Sequence, residues 1–369
     1  MAEPTPPDPE LAALRTEIDR IDDQILALLN RRAEVVHEVG RRKRERRQTF
    51  HVPHRERAVL ERLTAAATGA FPREGVRPVF REIMSACLSL ERPLVVAYPG
   101  PEATFSHLAC KTRFGLSARY VATASLRDVF REVGRGADYG VVPVEEATEG
   151  LVTHALDYFI DSDIGIVGEI VIEAAHALLT QNGTMAGIQR VFAHPVAATR
   201  CAAGLVEAAP GAAVVPAPSA GAAAAMARDD AQGTSAAVAP VLAAELFDLV
   251  VAKPRLDDGP ADEARFLVLG REPPKPTGKD ATSLLVGLDD NPGRLADVLN
   301  RLGGAGLNVR RIASRPASGH RGLRVLFFVD FDGHRDDPGC RAMLGALGTE
   351  LPLLKVLGSY PRDEGASAR

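Results

Sequence analysis

The sequence predicts a multidomain protein: an all-α segment that forms an intertwined helical dimer, a two-lobed α/β segment, and a βαββαβ segment with a ferredoxin-like fold. Three observations carry this prediction. They are the apolar spacing near the start of the chain, the alternation of short strands with alanine-rich helices in its middle, and the order of elements near its end. The chain has 369 residues, more than one hydrophobic core normally supports, so two or three domains are expected.

The all-α segment covers residues 9–92, and its first helix is predicted from residue 9 to about residue 47. Apolar residues recur along this helix at intervals of mostly three and four, at Leu11, Leu14, Ile18, Ile21, Ile25, Leu28, Val35 and Val39. The helix would be on the order of 55 Å long at 1.5 Å per residue. A small domain cannot cover such a helix alone, so the pattern predicts a homodimer. Two shorter helices are predicted over about 53–68 and 76–91.

The α/β segment covers residues 93–272. Its predicted strands alternate with helices, which indicates largely parallel sheets, and they lie at 94–98, 139–144, 164–172, 191–193, 214–216 and 266–269. A Pro/Gly/Lys linker at 271–280 leads to the last segment, 281–362. There the predicted order is strand 283–288, helix 293–302, strands 309–314 and 323–331, helix 338–347 and strand 353–359, which is the split βαβ arrangement.

Composition excludes several classes of protein. The net charge of −4 and the pI of about 6.2 give the molecule no field that attracts nucleic acid or an anionic membrane surface. The four cysteines are far apart and form no CxxC pair, which argues against a zinc site or a disulfide framework. The first residues show no basic segment followed by an apolar one, and no long apolar run occurs, so we expect no secretory leader and no membrane span. We therefore expect a cytoplasmic protein that contacts no membrane and no nucleic acid.

One cation interrupts the apolar stripe of the first helix. Arg32 stands where an apolar side chain is expected, and Lys43 lies three helical turns further on, on nearly the same face. A charge buried among aliphatic side chains is costly unless it is paired, so Arg32 is a candidate for binding an anion. The neighbouring cations of the run 31–47 have a simpler interpretation as a solvated helix end, and a nucleic-acid patch is the less favoured alternative.

The helical segment also carries a longer pattern, LAALRTEIDRIDDQILALLNRRAEVVHEVGRRK followed by HRERAVLERL and FREIMSACLSLE. It resembles the AroQ-class chorismate mutase domain of bacterial bifunctional P-proteins. By position, the resemblance implies a cationic clamp with one member from the partner subunit (Arg15), a carboxylate on the substrate hydroxyl (Glu56) and one on the ether oxygen (Glu91). The rest of the clamp would be Arg32, Lys43 and Arg55. Val52 and Cys87 depart from residues common in the family, an aspartate and a serine, and Cys87 would line the substrate site.

The resemblance implies a reaction that needs no cofactor. Chorismate is a dianion that rearranges to prephenate through a chair-like pericyclic transition state, so no nucleophile or general base is required. Catalysis then consists of holding a compact conformer and stabilising the charge that develops on the ether oxygen. Guanidinium groups suit the two carboxylates, and an ammonium group such as that of Lys43 suits the ether oxygen.

The middle segment contains AYPGPEATFSHLA (97–109), DYGVVPVEEATEGLV (138–152), FAHPVAATRC (192–201) and ARFLVLG (264–270). These stretches resemble the prephenate dehydratase domain, whose site lies in a cleft between two lobes. The resemblance implies prephenate as the substrate and a site that includes Glu145, Glu146, Thr148, Arg265 and Phe266. The Gly100 turn is either an anion loop that would place Thr104 and Ser106 at the substrate or simply a turn.

Several polar groups of that family are missing. Glu146 and Ala147 stand in place of an asparagine and a serine, Ala193 and Val196 in place of a serine and a glutamine, and Ala264 in place of the threonine that assists departure of the hydroxyl. The alanines and the valine donate nothing from their side chains. Glu146 would be a replacement acid only if burial and Glu145 raised its pKa. His194 is interpreted as structural more readily than as catalytic.

The stretch LDDNPGRLADVLNRLGGAGLNVRRIASRP (288–316) resembles the ACT domain of P-proteins, and it implies phenylalanine as the effector. The implied effector site comprises Asn291, Pro292, Gly293, Leu295, Ser314, Arg315 and Pro316. Without that context, the NPG sequence would be only a helix-starting turn. The function expected is a chorismate mutase fused to a prephenate dehydratase of phenylalanine biosynthesis. The alternatives are a mutase whose remaining segments only bind an effector, and a dehydratase-like enzyme for a modified prephenate.

Overall fold

A computed structural model of the chain describes residues 9–45, 53–146, 150–151, 153–259, 263–289, 291–317, 323 and 325–363. The chain divides into two compact units, Met1–Leu94 with Phe114–Ala118, and Val95–Arg113 with Arg119–Arg369. Within the described residues, no helix has both the length and the apolar character that a membrane crossing requires.

The first unit is helical, as predicted, and contains α1 (Pro9–Glu45), α2 (Pro53–Ala66) and α3 (Arg73–Ser89). Both shorter helices contact each other closely, and α3 also contacts α1. Residues of the second half of α1 are covered at helical spacing, at Leu29, Arg32, Ala33, Val36, Gly40 and Lys43. Arg32 lies opposite Ile83 and Gly40 opposite Glu91, so α1 and α3 advance together by eight residues and run parallel here.

No residue that the structure describes covers the apolar stripe on the first half of α1. Leu14 is 63% exposed, Ile18 56% and Leu28 70%, values far from those of a buried core. Leu11, Ile21 and Ile25 on the same stripe are exposed as well. The free energy that would favour burial of these side chains is therefore not realised in a single chain.

The second unit begins with an α/β lobe, which comprises β1 (Val95–Pro99), α4 (Phe105–Phe114), β2 (Arg119–Thr123), α5 (Leu126–Arg135), β3 (Tyr139–Glu146), β4 (Gly150–Leu151), α6 (Thr153–Asp161) and β5 (Gly165–Glu173). A second lobe follows with β6 (Ala177–Thr180), β7 (Arg190–Ala193), α7 (Pro195–Arg200), α8 (Ala202–Ala208), β8 (Ala213–Pro216), α9 (Ala220–Arg228), β9 (Ser235–Ala239), α10 (Leu242–Leu246) and β10 (Val250–Lys253). The next strand, β11 (Glu263–Gly270), returns to the first lobe.

The two sheets are more mixed than the sequence predicted. The first has the order β2-β1-β3-β11-β5, with β4 beside β3, and the second has the order β10-β6-β9-β7-β8. The pairs β1–β2, β1–β3, β7–β8 and β7–β9 are parallel. Strand β11 enters between β3 and β5 antiparallel to both, because the chain comes back from the second lobe in the opposite direction. The prediction of largely parallel sheets is therefore wrong for β11 and for the antiparallel pairs that β6 makes.

The last part of the chain has the predicted βαββαβ order, with β12 (Asp280–Leu288), α11 (Arg294–Gly304), β13 (Val309–Pro316), β14 (Val325–Asp332), α12 (Pro338–Glu350) and β15 (Leu353–Pro361). Its antiparallel sheet has the order β13-β14-β12-β15, which confirms the ferredoxin-like arrangement. This sheet packs on the first lobe. The ammonium group of Lys355 donates to the carbonyls of Phe159, Ile160 and Ser162 at the end of α6. A positive charge there satisfies carbonyls that the helix leaves unpaired.

Candidate functional site

The helical unit brings a cation and a carboxyl group to the α1–α3 contact. Arg32 is half-buried, and its Nη1 donates to the carbonyl of Ile83 over 3.5 Å. Glu91, just past α3, lies against Gly40: a Cβ at residue 40 would be 2.4 Å from the Glu91 Cδ. The Oε2 of Glu91 is buried and has no hydrogen-bond partner among the described residues. A buried polar atom without a partner is rare, and it is available to a ligand.

The other residues predicted for this site that the structure describes lie on α1, α2 and α3, and Arg15 is far from Arg32 along α1. Lys43 and Glu56 are half-buried on α1 and α2, Arg55 is exposed on α2, and Cys87 is buried on α3, one turn before Glu91. Arg15 is exposed and precedes Arg32 by 17 residues on α1, or about 26 Å at 1.5 Å per residue. Within one chain, Arg15 therefore cannot reach a ligand held by Arg32. Val52 lies outside the described residues.

A cavity of about 420 Å³ lies between the two lobes of the α/β domain. Strand ends and helix starts of the first lobe form one wall, and the other wall comes from α7, α9 and the entry to β6. Its lining includes predicted residues, namely Thr104, Ser106, His194, Val196 and Ala264. Ala193 is buried beside it at the end of β7. The structure thus brings two of the substituted positions, Val196 and Ala264, to one cavity.

The two lobes approach closely beside this cavity. A Cβ on Gly221, in the first turn of α9, would lie 2.7 Å from the carbonyl oxygen of Glu102 in the first lobe. Ser219 accepts from the amide of Ala222 and caps α9 at the cavity. The starts of α4 and α9 both reach the lining, at Phe105 and Ala220. The partial positive charge of helix N-termini favours anionic ligands in such a position.

Two other predicted residues, Glu145 and Phe266, do not reach the cavity. Glu145 binds Arg311 of the ferredoxin-like domain, with 2.6 Å between Oε1 and Nε. Phe266 is fully buried in the core. Glu146 has its backbone in β3, but its side chain lies outside the part that the structure describes, as do Ala147 and Thr148.

Arg265 was expected at the dehydratase centre, and the structure places its guanidinium elsewhere. Side chains alternate along a strand, so Ala264 lines the cavity while Arg265 turns to the ferredoxin-like domain. There its Nε is 2.9 Å from the Glu169 Oε2, its Nη1 is 2.9 Å from the Asp330 Oδ2, and its Nη2 donates to the Tyr360 hydroxyl. Burial alone would lower the pKa of Arg265, but these three neighbours raise it above its ordinary value. The guanidinium therefore stays charged.

A pair that was not predicted from the sequence joins His176 in the cavity wall to Asp257. The Nδ1 of His176 is 2.8 Å from the Asp257 Oδ1, and its backbone amide donates to Oδ2 over 2.6 Å. Desolvation would raise the pKa of Asp257, yet the bonds to His176 and Arg200 lower it overall. The two residues are 81 positions apart, so no local motif links them. The signal that was available is the histidine just before a buried strand and the Asp-Asp pair at 257–258.

The predicted effector residues partly converge in a second cavity of about 320 Å³ in the ferredoxin-like domain. Asn291, Gly293, Leu295, Val325 and Phe327 are among its lining residues. Gly293 has a φ of 87°, which favours glycine, at the residue before α11.

The remaining effector residues lie beside that cavity. Pro292 is exposed in the same turn. Ser314 pairs with Phe327 across the ladder, and Pro316 pairs with Val325. Arg315 instead forms a bidentate ion pair with Asp157 of α6.

The fold defines a protein that joins a helical domain, a cleft-bearing α/β domain and a ferredoxin-like domain. Family models match in the same order: chorismate mutase type II at residues 14–92, prephenate dehydratase at 96–274 and the ACT domain at 282–339.

Relatives extend this match over nearly the whole chain. A bifunctional chorismate mutase/prephenate dehydratase of Aquifex aeolicus is 40% identical over 96% of this chain and 98% of its own length. One from Pseudomonas aeruginosa is 39% identical over the same shares. A prephenate dehydratase of Arthrobacter aurescens, solved in complex with L-Phe, superposes with a TM-score of 0.65 at 32% identity, over 73% of this chain and 90% of that one. The chain belongs to the bifunctional chorismate mutase/prephenate dehydratase family.

Proposed function

We propose that this chain converts chorismate to prephenate in residues 9–92 and prephenate to phenylpyruvate in residues 93–272, under control of residues 281–362. The observation that carries the first activity is the buried Oε2 of Glu91, which has no partner among the described residues and lies against Gly40 on the helix that carries Arg32. Family membership supports both activities, which belong to the biosynthesis of phenylalanine.

In the mutase reaction, the helices hold a dianion and stabilise charge on its breaking ether bond. Arg32 and Arg55 bind the carboxylates, and Arg15 completes the clamp from a second subunit. Lys43 and Glu91 face the ether oxygen, and Glu56 binds the hydroxyl. These interactions strengthen as charge develops, so they lower the barrier rather than only binding the substrate.

The second subunit is needed for this site as well as for α1. The uncovered stripe, from Leu11 to Leu28, is what two antiparallel or crossed copies of the helix would bury. Arg15 and Arg32 are about 26 Å apart along the helix, at about 1.5 Å per residue, so Arg15 can bind the same ligand as Arg32 only if it comes from a second subunit. A homodimer meets both requirements. The four free, buried cysteines fit a reducing cytoplasm.

Dehydration takes place in the cavity between the lobes. The reaction balances in atoms and charge, because the prephenate dianion and one proton give the phenylpyruvate anion, water and carbon dioxide. The starts of α4 and α9 and the side chain of Arg200 supply positive potential to the cavity wall. Phenylalanine is the proposed effector. It would bind the cavity at Asn291 and Gly293, with its ring against Leu295 and Phe327.

A specific observation favours a second candidate for the α/β domain. Ala264 and Val196 line the cavity without a side-chain donor, so the domain would be a regulator that binds an effector but does not dehydrate prephenate. A dehydratase for a modified prephenate is the remaining alternative. Turnover of prephenate near neutral pH separates the regulator from both dehydratases.

The mutase assignment is tested by a pair of adjacent substitutions. Arg32→Ala should lower kcat/KM for chorismate by 100-fold or more, on the order of 3 kcal/mol, since a charged hydrogen bond to the transition state is removed. Arg31→Ala is the matched control, because Arg31 is 73% exposed and pairs with Glu34. Equal effects of the two substitutions, or an Arg32→Ala enzyme within tenfold of the parent, would contradict the proposed role.

A further inference from the structure

We propose that His176, oriented by Asp257, is the proton donor for the departing hydroxyl of prephenate in the cavity where Ala264 has no group to offer. This inference rests on the dehydratase activity proposed above. Both residues line the same cavity, His176 at its second-lobe wall and Ala264 at the start of β11. The inference thus supplies the donor that substitution at residue 264 removes.

The geometry around His176 fixes which nitrogen faces the ligand. Asp257 binds both the ring Nδ1 and the backbone amide of His176, and the Asp257 side chain is only 4% exposed. The amide of Leu256 also donates to the carbonyl of His176, which holds the two segments together. A carboxylate at this place keeps the proton on Nδ1, so Nε2 is the nitrogen left for chemistry. Phe105 packs against the ring edge-on, with 5.0 Å between the ring centroids, and limits its rotation.

The charged and titratable groups around the ring favour an acid. Asp257 is the closest, and the pKa of its carboxyl is held below its ordinary value, so it remains a carboxylate that stabilises an imidazolium. Arg200, whose Nε is 3.4 Å from the Asp257 Oδ1, opposes the imidazolium but attracts the substrate dianion. His194 lines the same cavity. Two carboxylates of a bound substrate add further negative charge beside the ring.

His176 and Asp257 also form a cluster with Cys201, whose ligand atoms lie within 4.8 Å of one another, as a metal site would require. The chemistry of these groups argues against that interpretation. Burial raises the pKa of the Cys201 thiol to about 12, which favours the neutral thiol beside this pair. Arg200 already places a positive charge on the carboxylate. The pair is better suited to holding a proton than to holding a cation.

The proposed step balances without another reactant. The His176 imidazolium transfers its Nε2 proton to the hydroxyl oxygen at C4 as the C4–O bond breaks and water leaves. The electron pair of the bond between the ring and its carboxylate moves into the ring, which becomes aromatic, and carbon dioxide departs. Neutral His176 then takes a proton from water. General acids of this kind typically contribute 100-fold to 10,000-fold in rate.

The test uses the full-length protein with prephenate as the substrate and His176→Asn as the variant. Asparagine keeps an N–H close to the position of Nδ1 and can still bind Asp257, so a structural role of His176 would survive this change. We expect kcat for phenylpyruvate formation to fall about 100-fold or more with KM within about threefold. A general acid acts only in its protonated form, so the parent should lose activity towards alkaline pH, and the variant should not show this limb of the pH profile.

A second variant, His176→Ala, adds chemical rescue. Added imidazole should restore part of its dehydration at pH 6 and less at pH 8, whereas a structural defect would not respond in this way. Chorismate mutase activity of the same preparations is the internal control for folding. An active parent whose His176→Asn variant keeps more than a tenth of kcat and the same pH profile overturns the role of His176 alone. A parent that does not consume prephenate overturns the proposed dehydratase and this inference with it.

Discussion

Replacing Arg265 with methionine should destabilise the second unit strongly, because this guanidinium joins strands of two domains. It binds Glu169 of β5, Asp330 of β14 and Tyr360 of β15, and its side chain is 6% exposed. Removing one partner of a buried ion pair costs about 3–5 kcal/mol. Glu169 would retain Arg310 and the backbone amide of Asp363, and Asp330 would retain Ser283. The expected loss is therefore near the lower end, about 3 kcal/mol.

Tyrosine fluorescence measures this loss in the right part of the chain. The chain has no tryptophan, and all five tyrosines (Tyr98, Tyr120, Tyr139, Tyr158 and Tyr360) belong to the second unit. With a urea m-value of about 3 kcal/mol per molar, the unfolding midpoint should fall by about 1 M. Arg301→Met is the matched control, since Arg301 pairs with Glu350 at the surface and such pairs contribute little. A midpoint shift no larger than that of Arg301→Met would refute the reasoning.

Three further predictions concern close contacts and buried thiols. Gly40→Ala should lower chorismate turnover at least tenfold while leaving prephenate turnover intact, because the new Cβ displaces the Glu91 carboxyl. Gly69→Ala is the control, since no described atom lies within 4 Å of its added Cβ, and equal mutase activities of the two variants would contradict the proposed site. Gly221→Ala should raise KM for prephenate, because its Cβ would meet the Glu102 carbonyl where the two lobes approach each other. Gly345→Ala in α12, where the added Cβ has open space, should leave KM unchanged, and an unchanged KM in both variants would show that the close approach of the lobes does not affect prephenate binding. Ellman's reagent should leave the native protein almost unlabelled and find four thiols after denaturation, since Cys87, Cys110, Cys201 and Cys340 are buried. Burial also raises the pKa of Cys110 and Cys201, which lowers their reactivity, and rapid labelling of the native protein would contradict this burial.

Periodicity was enough to predict the elements whose neighbours in sequence are also neighbours in space. The spacing of Leu11 to Leu28 predicted α1 (Pro9–Glu45 within the described residues), and the βαββαβ order predicted the ferredoxin-like sheet. The strand direction of β11 could not be predicted in this way. Its neighbours β3 and β5 precede it by about a hundred residues, and the second lobe folds in between. Only the long-range pairing decides that β11 lies antiparallel to both.

The candidate sites divide along the same line. Arg32 was found because its charge interrupts an apolar pattern, and the NPG turn was found because glycine at residue 293 has a local cause. Arg265 and Ala264 are adjacent in sequence, yet alternation along β11 sends one to the ferredoxin-like domain and the other to the cavity. No local motif linked His176 to Asp257, because Asp257 approaches it only through the fold of the second lobe.

The bifunctional assignment is tested most directly by incubating one purified preparation of the full chain with chorismate at neutral pH and following prephenate and phenylpyruvate over time. Acid must be avoided during sampling, since acid converts prephenate to phenylpyruvate without an enzyme. We expect prephenate to appear first and then to be converted to phenylpyruvate, and we expect added phenylalanine to slow this second step. Accumulation of prephenate with no phenylpyruvate above the enzyme-free control would contradict the bifunctional assignment and leave the α/β domain as a regulator.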